Sequence, residues 1–139
     1  ARARDRAIRR PRGRDADCSA MSDTVYRVQD KDGRGPWKPG FSENWVEERE
    51  DHDNLVPWLL EFGAVHMKAI SGMHVGTACR TLDQLRRWFT RSEYETLRRK
   101  GYMAVSLEAG RVLAESDIQL VFERCKPLRV GTTPVNLWP

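Results

Sequence analysis

The sequence predicts an α+β domain over about residues 22–131, with a small mixed or antiparallel sheet and a few helices. Three observations predict it. Residues 24–29, 102–107 and 118–122 carry the alternation, or the continuous β-branched and aromatic runs, that strands need. Residues 81–100 instead carry helical spacing, with Leu82, Leu85, Trp88 and Phe89 on one face. The 139 residues are one domain's worth, and an aromatic share of 9% with five Trp is what a packed core contains.

Residues 1–20 form an Arg-rich leader outside that domain. They hold seven Arg against three Asp, while the rest of the chain holds 17 basic and 17 acidic side chains, so the formal +4 belongs to the leader. With one aliphatic residue beyond Ala and no period, burial cannot offset the entropy of ordering it, and disorder is expected. It reads either as a nucleic-acid arm or as a non-native extension ahead of a start at Met21. It lacks the apolar stretch of a secretory signal, and no run approaches the roughly 18 apolar residues of a membrane span. The expectation is a soluble cytoplasmic protein with no membrane partner. Cys18, Cys79 and Cys125 are far apart and without zinc spacing, so reduced thiols and no metal are expected.

Residues 24–29, TVYRVQ, set Val25, Arg27 and Gln29 against Tyr26 and Val28, as a first strand with a buried face does. Arg27 at its centre either snorkels to a sheet edge or points into a cleft to hold an anion. The loop 30–41 is rich in Gly and Pro yet contains Trp37 and Phe41, which cap the core or line a pocket. Gly33 and Gly35 permit close approach of backbone to a ligand. Residues 42–53 are polar and acidic. Residues 55–62 then suit a short helix that lays Trp58, Leu59 and Phe62 on the sheet and stops at Gly63. His52, His66 and His74 are scattered without a motif, and residues 75–81 form a short strand or turn.

Thr81 and Gln84 make a capping box, and Thr90 with Glu93 makes a second that restarts or kinks the helix. Tyr94 and Leu97 continue the inward stripe until Gly101 ends it. A loop links the strands 102–107 and 118–122, and it carries the polar triplet Glu115, Ser116 and Asp117. Residues 126–130 suit a last strand, and 132–139 a loose C-terminal tail containing Trp138. Cys79, just before a helix start and beside Arg80, reads as a thiol of lowered pKa or as a packed small residue.

The order of parts resembles small ADP-ribosyltransferase-like proteins of phage and prophage type. The resemblance lies in Tyr26-Arg27-Val28, in residues 76–81 running into 85–89, in Gly101-Tyr102, and in residues 115–119. It implies an ADP-ribosyltransferase-like α+β fold and an NAD-dependent transferase whose acceptor it does not name. Arg27 would grip the NAD phosphate, with Gly76, Thr77 and Thr81 supporting the nicotinamide pocket and Trp37 and Phe41 walling it. Glu115, with Asp117 and Gln119, would stabilise the oxocarbenium-like transition state. Thr77-Ala78-Cys79 replaces the family's Ser-x-Ser, and Asp117 stands where its second glutamate belongs. The alternative is a non-enzymatic phage or prophage accessory protein. It would bind a host protein, or nucleic acid through the leader or the basic region between Arg86 and Lys100.

Overall fold

The computed structural model describes residues 23–38, 40–47 and 54–139; the leader, Met21 and His52 lie outside them. Among the described residues are six strands: β1 (Asp23–Gln29), β2 (His74–Ala78), β3 (Met103–Ala109), β4 (Arg111–Glu115), β5 (Leu120–Arg124) and β6 (Thr133–Pro134). They form two antiparallel sheets of three strands, ordered β1-β3-β6 and β2-β5-β4. The helices are α1 (Trp58–Phe62), α2 (Leu82–Trp88) and α3 (Arg91–Arg99), with short 3-10 turns at Ser42–Asn44 and Val65–Lys68. The α+β class holds, with two small sheets in place of one.

The sheets face each other. In the first, Val25 lies opposite Leu107 and Arg27 opposite Val105; in the second, Gly76 lies opposite Phe122 and Ala78 opposite Leu120. Val25, Val105 and Leu107 pack with Ala78, Leu120 and Phe122 as one cluster, so the inner faces make a core between the sheets. On the other side of the first sheet, Val28 and Ala104 meet Leu85, Trp88, Phe89 and Leu97 from the helices. β1 is therefore buried on both faces over its second half, which leaves Arg27 inside the molecule.

Two junctions hold the sheets in place. β3 passes to β4 through Gly110, whose N–H donates to the Glu123 carbonyl at 2.9 Å. A Cβ there would sit 3.0 Å from that oxygen, so a side chain would push the β5 backbone aside by a few tenths of an ångström. At the opposite edges, Tyr26 of β1 and Cys79, just after β2, exchange backbone bonds of 2.9 and 2.8 Å as an isolated bridge. Beyond it the two edge strands part.

Both capping boxes form. Thr81 accepts from the Gln84 N–H and Thr90 from the Glu93 N–H, and each partner side chain returns the bond to the cap backbone, so the second box restarts a separate helix. Other expectations are corrected. The helix expected over 55–62 begins only at Trp58, because Pro57 is extended at φ −55° and ψ 147° and a proline disfavours helical backbone in the residue before it, and Leu59 and Leu60 face solvent while Leu55 is buried. The expected loop before the last apolar run contains β4, whose period is broken by a bulge between Val112 and Ala114. Residues 126–130 form a turn rather than a strand. The segment 132–139 is packed rather than loose: β6 pairs with β3, Leu137 is fully buried, and the Trp138 indole donates to the Phe89 carbonyl at 3.1 Å. Cys79 is a free buried thiol, and Cys18 lies outside the described residues. No helix among the described residues is long and apolar enough to cross a membrane.

Candidate functional site

A cleft of about 630 Å³ opens where β1 and β2 part. Its lining brings together Arg27 and Gly76 from the two strands, the loop 33–37, Pro57 and Trp58, and Trp88 and Phe89 from the helical layer.

Arg27 is the centre of the site. The strand's alternation turns it toward the second sheet, where it is 7% exposed. Its Nη2 donates to the Gly33 carbonyl at a long 3.4 Å, while Nε and Nη1 have no hydrogen-bond partner among the described residues. Burial pulls the guanidinium down to about 10; the Asp30 carboxylate opposes that shift and Arg124 adds to it. Asp30 is not a direct partner. Its carboxylate instead accepts from the backbone N–H groups of Asp32 and Arg34, both at 2.9 Å, and so shapes the turn that carries Gly33. Gly76 leaves room for the guanidinium: a Cβ there would collide with Arg27 Nη1 and approach Leu128 Cδ1 to 2.9 Å, so those side-chain ends would have to shift. Gly33, at φ 84°, lets the loop close onto the backbone of residues 128–129. A second guanidinium, Arg124, is also buried with Nη1 unpartnered, but it lies outside the cleft lining.

Of the residues singled out in the sequence, Arg27, Trp37, Gly76, Thr77 and Gln119 line the cleft together. Trp37 is 42% exposed and stands edge-on to Trp45 and Trp88, with ring centroids 4.5 and 6.0 Å away. Phe41, Thr81, Glu115 and Asp117 are not in the lining. Phe41 packs on Tyr102 at 5.5 Å beneath the Lys38 ammonium, and Thr81 caps α2. Glu115 is gripped by Arg80 through Nε at 3.0 Å and Nη2 at 2.7 Å, and that hydrogen-bonded guanidinium holds its carboxyl below the usual range. Asp117 is exposed, and its carbonyl accepts from Gln84 Nε2 at 2.9 Å. Cys79 lines the cleft but is packed, with Sγ 3.6 Å from the Ile118 carbonyl, and burial pushes its thiol up to about 12. It is no activated nucleophile in this state.

Sequence reasoning missed Arg34 and Trp58, which line the cleft, and Leu128, which closes on Gly76. The Gly33-Arg34-Gly35 triplet was a usable signal for Arg34, as a cation flanked by residues that permit close approach. Nothing local marks Leu128.

The cleft can do two things chemically. Arg27 holds two charge-assisted donors, Nε and Nη1, with no partner among the described residues; both are sealed from solvent here, so an anion reaches them only when the guanidinium turns toward the cleft. A planar ring entering it meets indole surfaces.

No curated protein and no solved structure matches this chain. The profile of one family, described as the Bacteriophage T4 Y00F protein, matches residues 21–136. That stretch contains every strand and helix described above together with the whole cleft, and the chain belongs to the Bacteriophage T4 Y00F protein family.

Proposed function

We propose that the cleft binds NAD and that this phage-family protein is ADP-ribosyltransferase-like. The observation that carries the reading is the Arg27 guanidinium, buried, facing the cleft and lacking partners on Nε and Nη1. A buried polar group without a partner is costly, so an anion from outside is the natural completion, and a pyrophosphate fits a planar guanidinium. The volume lies within the roughly 300–1,000 Å³ of small-molecule sites, and Trp37, Trp58 and Trp88 offer surfaces for base or nicotinamide rings. Gly76 and Thr77, on the free edge of β2, are the nicotinamide-side contacts in this reading.

Cleavage of the bond between nicotinamide and ribose leaves positive charge on the sugar, and a carboxylate beside it lowers that barrier. Glu115, with Asp117, is assigned that role. Its clasp by Arg80 means that it reaches a ribose only when the clasp opens. The test is calorimetry with NAD on the whole chain and on Arg27→Ala. Binding that the substitution abolishes supports the reading; a flat titration at millimolar NAD overturns it.

A second reading has its own observation. Arg91, Arg98 and Arg99, with Glu95 among them, line a groove of about 460 Å³ together with Tyr94 and Trp138, a mainly basic and aromatic surface of the kind that accepts nucleic acid. Binding of a labelled single strand with a steep salt dependence, lost on joint substitution of Arg98 and Arg99, would favour an accessory protein over the transferase.

A further inference from the structure

Gln119 precedes β5 by one residue and is 6% exposed. Its Nε2 donates to the Val56 carbonyl at 2.6 Å and to Glu61 Oε1 at 2.9 Å. A side-chain amide has two N–H bonds, and both are spent. Turning the amide over would set its oxygen against two acceptors, one of them a carboxylate, so the neighbours fix its orientation. Glu61 is held in place as well: Oε1 also accepts from Ser116 Oγ at 2.9 Å, and the Ser116 N–H donates to the Gln119 carbonyl at 2.9 Å. The atom left over is Gln119 Oε1. It makes no hydrogen bond to a described residue, it is not among the polar atoms sealed from solvent, and its side chain lines the cleft. The cleft thus combines a buried cation, Arg27, with an oriented acceptor, Gln119.

We infer that Gln119 is the specificity-determining residue of the cleft. Its Oε1 accepts a hydrogen bond from an amino or carboxamide N–H on the heteroaromatic ring of a phosphorylated ligand whose phosphate lies on Arg27. This rests on the nucleotide reading above and sharpens it. A ring that carries oxygen at the same place sets acceptor against acceptor, loses the bond and leaves Oε1 unpaired on binding. NAD carries suitable donors at two ends, the adenine amine and the nicotinamide carboxamide, and either satisfies the geometry.

The experiment is calorimetry on the full chain with two ligand pairs. ADP and inosine diphosphate differ at the purine amine; NAD and its nicotinic-acid counterpart differ at the carboxamide. In at least one pair the N–H-bearing member should bind about tenfold tighter or more. In Gln119→Met, of similar length but without the acceptor, that ratio should fall toward one while inorganic pyrophosphate binds as before. The pair that discriminates identifies the end that is read. Equal affinities within both pairs, discrimination surviving in Gln119→Met, or no binding of any of the four would overturn the inference. Should Gln119→Met fail to fold, the wild-type ratios decide together with Glu61→Ala, which removes one of the acceptors orienting the amide. That substitution should narrow the ratio, a readout that a purely structural role would not move. ADP preferred over inosine diphosphate with no NAD binding would sink the NAD reading and leave this one standing. NAD bound with no preference in either pair would do the reverse.

Discussion

Arg27 is held in a place that stability alone does not favour. Its guanidinium is desolvated, two of its nitrogens lack partners, and Gly76 leaves it just the room it occupies. Replacing a buried ion pair with apolar side chains of similar volume is commonly neutral or stabilising by about 1–4 kcal/mol, and a buried cation without a direct partner has less attraction to lose. Arg27→Met should therefore raise the melting temperature of the ligand-free protein while removing the stabilisation that added pyrophosphate gives the wild type, both read by thermal denaturation. The pH dependence has a definite sign. The folded state holds the Arg27 proton less tightly than the unfolded chain, so the burial cost is fully present below about pH 10 and is relieved as pH rises from there toward the ordinary arginine range. At neutral pH the wild type carries all of it. A stability loss in Arg27→Met would mean that the guanidinium serves packing rather than a ligand.

Among elements, the end of β4 and the approach to α2 are tied by the pair of Glu115 with Arg80, which also reaches Asp23 at 3.5 Å. The side chains are more than a third exposed, so the clasp contributes little to stability and is screened by salt. Glu115→Gln should leave the melting temperature nearly unchanged at pH 7. If the carboxylate serves NAD cleavage, turnover should fall 10²-fold or more. Because the Glu115 pKa is depressed in the fold, whatever the clasp contributes is present above the ordinary carboxylate value and lost as pH falls through the lowered one. Wild type and variant should therefore converge in acid. This pair also shows what the sequence can and cannot reveal. The boxes opening α2 and α3 were legible because each spans four residues and is complete in itself. The Arg80–Glu115 pair joins residues 35 apart, and nothing beside either one announces the other. β4 escaped for a different reason: its bulge breaks the alternation by which a short strand is recognised. Arg27 and Gln119 were singled out from sequence, but that both line one cleft follows only from the meeting of β1 with the second sheet.

For the whole molecule, the C-terminal segment closes the helical side of the first sheet. Leu137 is fully buried, the Val135 N–H donates to the Ala104 carbonyl at 3.0 Å, and Arg86 Nε donates to the Leu137 carbonyl at 2.8 Å. Leu137→Ala removes a side chain from that core and should cost about 2–5 kcal/mol, measured by urea denaturation. A loss below 0.5 kcal/mol, the scale of an exposed substitution, would mean that the segment is not part of the cooperative unit. Its lack of strong periodicity concealed this in the sequence, since two residues of β6 and one anchoring leucine leave no pattern to read.

The bridge between Tyr26 and Cys79 makes the cleft a hinged object. Two backbone bonds join Tyr26 of β1 to Cys79, the residue after β2, and neither belongs to a sheet's own ladder, so both can open without breaking one. The amides of Tyr26 and Cys79 should consequently exchange with deuterium faster than those inside β3 or β5, which are buried in their ladders. A ligand that spans Arg27 on one strand and Gly76 on the other staples the hinge shut. Saturating NAD should then slow exchange at these two amides while leaving the interior of β5 unaltered, so that a pair of backbone protons reports whether the cleft is filled.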